Sequence, residues 1–388
     1  MEENNIQKRE DILFEHISRL IDESRRRIKT TVNTAMVYTY YSVGKYIVED
    51  ELQGERRATY GKSVLKDLSI RLTMHYGKGW SLANLKNAKQ FYLLYMERLN
   101  TVYPIQTGKA KHCLTNLINC TQQTEPDKNN SAHDVDQIYP FTLSWSHYLV
   151  LMRIKNDDER CFYEIESRKQ DWSVRQLQRQ YSSSLYERLA LSRNKKEVMR
   201  LAKEGQTVEK PDDVIKDPLS LEFLGLKADD SYSETKLESA IINKMRDFLL
   251  EMGKGFLFEA RQKRFTFDEE HFYVDLVFYN RLLQCYCLID LKNDKLTHQD
   301  LGQMQMYVNY FDRYVKQDFE KPTIGILLCK KKNDALVDLT LPKDANIYAS
   351  AYELYLPDKD LLQSKVKEWI EEFEENEPDA ENISKEQL

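Results

Sequence analysis

Residues His271 to Tyr310, HFYVDLVFYNRLLQCYCLIDLKNDKLTHQDLGQMQMYVNY, constrain the fold more tightly than any other part of the chain. Two apolar runs rich in Phe, Tyr, Val, Leu and Cys flank Asn280-Arg281, the pattern of a β-hairpin. One acid, Asp275, interrupts the first run, and Asp290 and Lys292 close the second. Side chains alternate across a strand, so residues 290 and 292 share a face. Burying a carboxylate or an ammonium without a partner is costly. Each is therefore the other's partner, or both face a metal ion and a phosphate. Upstream, Leu237, Ile241, Ile242, Met245, Phe248 and Leu249 recur at helical spacing between Glu234 and Met252, on a helix that also carries Glu238. Downstream, Thr297 opens a helix with Gln303 and Tyr307 at i and i+4 on one face. Thr323 to Cys329 (TIGILLC), bounded by Pro322 and a lysine triplet, then reads as a buried strand.

The rest of the chain limits the class of protein. At 388 residues it is long enough for two domains. No run approaches the roughly 18 to 20 apolar residues of a membrane span, and the charged first ten residues are not a secretory signal. Cys113, Cys120, Cys161, Cys285, Cys287 and Cys329 show no zinc-ligand spacing backed by histidines, which fits reduced thiols in a cytoplasm. The net charge of −6 does not exclude a nucleic-acid partner. Asp358 to Leu388 holds eleven acids against four lysines, so the other residues are nearly neutral in sum.

Residues 1–204 read as a helical domain. Asp11 to Leu52 forms one long helix or two stacked ones, with Arg25, Arg26, Arg27 and Lys29 on a solvated face or against phosphates. Val64 to Leu72, a glycine turn at Gly77 and Gly79, and a helix capped by Ser81 together suggest a helix-turn-helix. Asn84, Lys86, Asn87, Lys89 and Gln90 would dress its exposed face, and Lys86 and Lys89 are candidate nucleic-acid contacts. Trp172-Ser173 repeats the Trp80-Ser81 start, with Leu four residues after each Ser, and leads a helix bearing Arg175 and Arg179 as further candidates. A solvated face explains these basic residues equally well. Residues 100–140 lose periodicity and read as an exposed insertion whose His112, Cys113, Cys120 and His133 fit no metal site. Residues 205–226, with Gly205, Pro211 and Pro218, read as a linker, 227–357 as the second domain and 358–388 as an acidic tail.

Asp275, fourteen residues, then Asp290-Leu291-Lys292 resembles the signature of the PD-(D/E)xK nuclease superfamily. The chain as a whole resembles that superfamily's YhcG-like family, through Tyr60-Gly61, Ser81 to Leu85, Leu143 to His147, Asp171 to Ser173, Leu237-Glu238, Phe272 to Tyr279, Leu288 to Lys292 and Gly325 to Cys329. Asp290 stands where Glu is common, and Val274 where the signature has Pro. The resemblance implies an α+β, two-domain protein: an all-α N-terminal domain and a C-terminal α/β restriction-endonuclease-like core. It also implies a metal-dependent phosphodiester hydrolase, a DNA endonuclease of restriction, defence or repair, with RNA open as a substrate. Mg²⁺ or Mn²⁺ would bind Asp275, Asp290 and the Leu291 carbonyl. Lys292 would orient or deprotonate water, Glu238 would orient a ligand or a second metal, and Gln303 and Tyr307 would touch substrate or brace Lys292. Double-strand cutting would favour a homodimer, and a restriction or defence complex is a further expected partner. The alternative is a non-catalytic nucleic-acid-binding or assembly protein on a degenerate nuclease fold.

Overall fold

The computed structural model describes residues 2–53, 58–102, 141–191, 195–226, 232–342 and 345–376. Most of the expected insertion, with its His and Cys residues, and the end of the acidic tail lie outside that set. Two compact units emerge. One is Met1–Arg160 with Ser167–Leu177, and the other is Cys161–Glu166 with Gln178–Leu388. No helix of the described residues is long and apolar enough to cross a membrane.

The first unit is helical. Its first helix is a single element, Glu2–Gln53, followed by Ala58–Tyr76 and Leu82–Val102. Gly44 lets the first and third of these approach closely. A Cβ there would strike the Ala88 carbonyl, so any larger residue would force the helices apart. Leu85, Ala88, Phe91 and Tyr95 form the buried stripe of Leu82–Val102. Ser81 caps that helix, accepting the Asn84 N–H at 3.3 Å. Ser173 does the same for Val174–Ser182 in a reciprocal arrangement with Gln176. The two Trp-Ser starts thus serve as helix caps.

The second unit is built on a six-stranded sheet of order β1-β6-β5-β4-β3-β2. The strands are β1 (Leu219–Ser220), β2 (Phe256–Phe267), β3 (Glu270–Asn280), β4 (Cys285–Lys295), β5 (Ile324–Lys331) and β6 (Ile347–Glu353). Strands β2, β3 and β4 are antiparallel neighbours, whereas β4, β5, β6 and β1 pair in parallel. The period-2 pattern splits the core in two. Cys287, Ile289 and Leu291 face Leu237, Ile241, Phe248 and Met252 of helices Glu234–Asn243 and Met245–Met252. Leu288, on the other face, joins Leu301, Met304, Tyr307, Val308 and Phe311 of helix His298–Tyr314. Each fully buried Leu or Phe contributes about 1.5–3 kcal/mol. Gly325 on β5 lies flat under that last helix, where a Cβ would meet Met304.

Two expectations change in detail. The helix read as continuous from Glu234 to Met252 breaks at Lys244, whose φ of −118° is not helical. The segment read as a linker is largely packed: Leu219 and Leu221 are buried, and β1 adds to the sheet beside β6. Its Pro and Gly residues punctuate a structured path.

Candidate active site

The last rung joining β3 to β4 is Leu276↔Ile289. Beyond it the strands part, β3 continuing with β2 as far as Phe267↔Glu270 and β4 continuing with β5. Asp275 and Asp290 are each the first residue past that rung. In an unbroken antiparallel ladder they would be direct cross-strand neighbours. The fork thus brings together two acids that lie fifteen positions apart.

Hydrogen bonds fix the β3 acid. Asp275 Oδ2 accepts the Leu291 N–H at 2.8 Å, and Oδ1 accepts Gln262 Nε2 at 2.8 Å. The same Gln262 amide nitrogen donates to Glu238 Oε2 at 2.9 Å, while Arg261 Nε donates to Glu238 Oε1 at 2.6 Å. Glu238, 4% exposed, therefore steers Asp275 through Gln262. Gln262 has a positive φ of 46° and lies between the pairs Arg261↔Leu276 and Lys263↔Val274, opposite Asp275. A non-glycine residue held there is strained backbone that its surroundings must maintain.

The β4 acid is less well satisfied. Lys292 Nζ lies 2.8 Å from Asp290 Oδ2 and 3.6 Å from Asp300 Oδ1. The first contact is an ion pair without hydrogen-bond geometry: Asp290 Oδ2 is a buried oxygen with no hydrogen-bond partner. Burial first, and Asp275 second, push the Asp290 carboxyl up to about 7 against the opposing pull of Lys292. For Lys292, burial works against the charge, but Asp290, Glu234 and Asp300 outweigh it and hold its pKa above the ordinary lysine value. Asp300 is placed by a capping box with Thr297 at the start of helix His298–Tyr314. One turn on, Gln303 Nε2 donates to the Tyr307 hydroxyl. Burial and then the charge of Asp290 push that hydroxyl up to about 12, which places Tyr307 within electrostatic reach of the acids.

The fork therefore gathers Asp275, Asp290, Lys292, Glu238 and Tyr307 with Gln303. Gln262, Arg261 and Asp300 join them, although their sequence carries no motif; only the strand register and the capping pattern point to them. Among the described residues no group of three or more His, Cys, Asp or Glu side chains is arranged to hold a metal. The available donors are two carboxylates and a main-chain carbonyl. The Leu291 N–H points toward Asp275, and a strand residue presents its carbonyl to the same edge as its N–H. All are hard oxygen donors, suited to Mg²⁺ or Mn²⁺. The buried Asp290 carboxyl, ion-paired only to Lys292, and the repulsion between the two acids are compatible with a hard cation at this donor set.

The basic residues expected at a nucleic-acid surface have different fates. Lys86 and Arg175 are exposed, whereas Lys89 pairs with Glu51. Asn84 turns inward, donating to the Gly79 carbonyl at 2.6 Å and accepting from Trp145 at 3.2 Å. Arg179 is committed to structure: Nε donates to Glu222 at 3.0 Å and Nη1 to Glu251 at 2.9 Å. Its guanidinium is not offered to a phosphate.

The sequence matches known proteins. Residues 212–367 match the YhcG PDDEXK nuclease domain and residues 16–188 the DUF1016 N-terminal domain. The chain is 37% identical over 357 residues to "Putative nuclease YhcG" of Escherichia coli (strain K12), covering 91% of this chain and 92% of that one. Among solved structures, a repair endonuclease from Pyrococcus abyssi matches 33% of this chain and 50% of its own at 18% identity and a TM-score of 0.24. An EndoMS–dsDNA complex matches 34% and 50% at 14% identity, again with a TM-score of 0.24. With a helical N-terminal unit, a PD-(D/E)xK sheet and a relative matched along nearly its whole length, the chain belongs to the YhcG family of PDDEXK nuclease-domain proteins.

Proposed function

We propose that the chain is a metal-dependent endonuclease that hydrolyses phosphodiester bonds in DNA, in restriction, defence or repair. The observation that carries this reading is the fork: two opposed carboxylates, one of them buried and ion-paired to a lysine on the same strand face. A bound Mg²⁺ or Mn²⁺ would supply charge neutralisation at the phosphoryl oxygens and a more acidic water. Asp275, Asp290 and the Leu291 carbonyl would hold it. Glu238 and Gln262 fix the orientation of Asp275, so that this carboxylate needs little reorganisation on binding.

Lys292 is held protonated by its acidic neighbours, which suits it to orient the attacking water and to stabilise negative charge on the phosphoryl group. Tyr307 and Gln303 brace the wall beside it. Lys86 and Arg175 are candidate backbone contacts of the helical unit. A homodimer would bring two such sites to the two strands of a duplex, and a restriction or defence complex remains the proposed setting. The test is a panel of supercoiled, linear, branched and single-stranded DNA, with RNA alongside, in Mg²⁺, Mn²⁺ or EDTA. Cutting that requires metal and disappears in Asp290→Ala supports the reading. Equal cutting by both proteins, or none by either on any substrate, overturns it.

A further inference from the structure

Past the fork, β2 and β3 run on as a two-stranded ribbon that β4 no longer covers. Cross-strand partners share a face, so the register Arg264↔Tyr273 and Thr266↔His271 puts these four residues on one face with Gln262 and Asp275. On the opposite face Phe265, Phe272 and Val274 are committed to packing. Phe265 stacks on Tyr310 at 4.1 Å and meets Tyr307 edge-on at 5.5 Å, and Val274 is buried. The first face is open: Arg264, Thr266 and His271 are exposed, and Tyr273 is 46% exposed. Its polar groups are organised among themselves. Arg264 Nη2 lies 2.9 Å from His271 Nε2, and Thr266 Oγ1 lies 2.9 Å from His271 Nδ1. At a rise of about 3.4 Å per residue, Tyr273 stands about 7 Å from Asp275 along the strand, and His271 about twice as far. Asp268, Glu269 and Glu270 at the hairpin turn set the far limit of the track, since they repel phosphate.

We infer that this ribbon face grips a single-stranded segment of the substrate next to the scissile phosphate, with Tyr273 stacking on an unpaired base and Arg264 contacting the flanking phosphate. An exposed aromatic ring two positions from a metal-ligand carboxylate gives a base a π-face to rest on, and such stacking needs the base out of its duplex. The cross-strand guanidinium has donors beyond the one directed at His271, and it supplies the charge that tracks the backbone. The inference rests on the nuclease reading of the fork. It assigns that site a preference for DNA with unpaired nucleotides over blunt duplex, and it makes Tyr273 and Arg264 positioning residues.

The experiment measures binding to a short single-stranded DNA carrying 2-aminopurine, with the full chain in EDTA, so that no cutting occurs. Wild type should quench the probe by stacking and should bind a blunt duplex of the same sequence more weakly. Tyr273→Ala should lose the quenching and bind the single strand about tenfold less tightly, while Tyr273→Phe, which keeps the ring, should retain both. Arg264→Gln should lower the salt dependence of binding by about 0.7 in the log–log slope, the loss of one phosphate contact. Unchanged quenching and affinity in Tyr273→Ala overturn the inference, as does an equal loss on single strand and blunt duplex. The two readings fail separately. If the fork does not cut DNA, wild type with Mg²⁺ leaves every substrate intact while this binding pattern survives. If the ribbon is idle, Tyr273→Ala cuts as wild type does, and cutting still depends on Asp290.

Discussion

The buried charges around Glu251 and those at the fork, both in the sheet unit, differ in one respect. Around Glu251 both carboxylate oxygens are answered, although burial pushes the neighbouring Lys216 ammonium down to about 8. Arg188 donates to Oε1 at 2.6 Å, Arg179 to Oε2 at 2.9 Å, and the Ser220 N–H to Oε1 at 3.1 Å, while Lys216 donates to the main-chain carbonyl. Burial alone would raise the Glu251 pKa, but Arg188, Lys216 and Arg179 outweigh it and hold the carboxyl at about 2. At the fork the balance is reversed. Two acids share one close lysine, a buried oxygen has no hydrogen bond, and the Asp290 carboxyl is pushed up to about 7. A closed network stabilises a fold, whereas an open one with excess negative charge stores a demand for a cation. Sequence distance is no guide to which is which, because both draw on residues far apart in the chain.

The largest effect should come from opening the closed cluster. Glu251→Ala leaves two guanidiniums buried without their shared acid and should cost about 3–5 kcal/mol in denaturant unfolding. A loss below about 1 kcal/mol would show that water already penetrates that network. At the fork, Asp290→Ala or Lys292→Ala should lower the rate of DNA cleavage by about 10²-fold or more, with the fold intact by circular dichroism. Asp290→Asn should leave the metal-free protein as stable as wild type, or more so, because it removes a repelled charge. A cluster that lost both activity and several kcal/mol of stability on this change would be structural after all.

The two clusters should also respond to pH with opposite sign. The Glu251 pKa is depressed in the folded state, so its contribution is complete above its ordinary value near 4.5 and is lost as pH falls toward about 2. This amounts to about 3 kcal/mol. The Asp290 pKa is raised, so its contribution is complete below its ordinary value near 3.8 and is lost as pH rises through about 7. Unfolding in EDTA between pH 4 and 8 should therefore show a decline that Asp290→Asn removes and Glu251→Gln does not. The smallest expected effect is that of Gln303→Ala, a severalfold fall in cleavage from the loss of one bond to the Tyr307 hydroxyl.

Much of the fork was legible because strand period and spacing are local properties. Alternation put Asp290 and Lys292 on one face, the apolar runs marked β3 and β4, and Thr297 announced the helix that carries Gln303 and Tyr307. The parts that stayed hidden depend on long-range pairing. Gln262 becomes a bridge only when the β2–β3 register sets it opposite Asp275, with a backbone conformation that Gln rarely adopts. The two-residue strand β1 exists because it pairs with β6 more than a hundred positions away. Arg179 looked like a surface cation because helical spacing tells which residues share a face, and the partner of that face here is Glu222 and Glu251. Asn84 misled for the same reason, since its neighbours Tyr40 and Trp145 arrive from elsewhere in the chain.

The claim that the fork is open because it awaits a cation is tested most directly by titrating Mn²⁺ into the full chain at pH 8, followed by electron paramagnetic resonance or calorimetry. The account predicts saturable binding that Asp275→Asn and Asp290→Asn each weaken by tenfold or more and that Glu222→Gln leaves unchanged. Binding equal in wild type and both fork variants would contradict it.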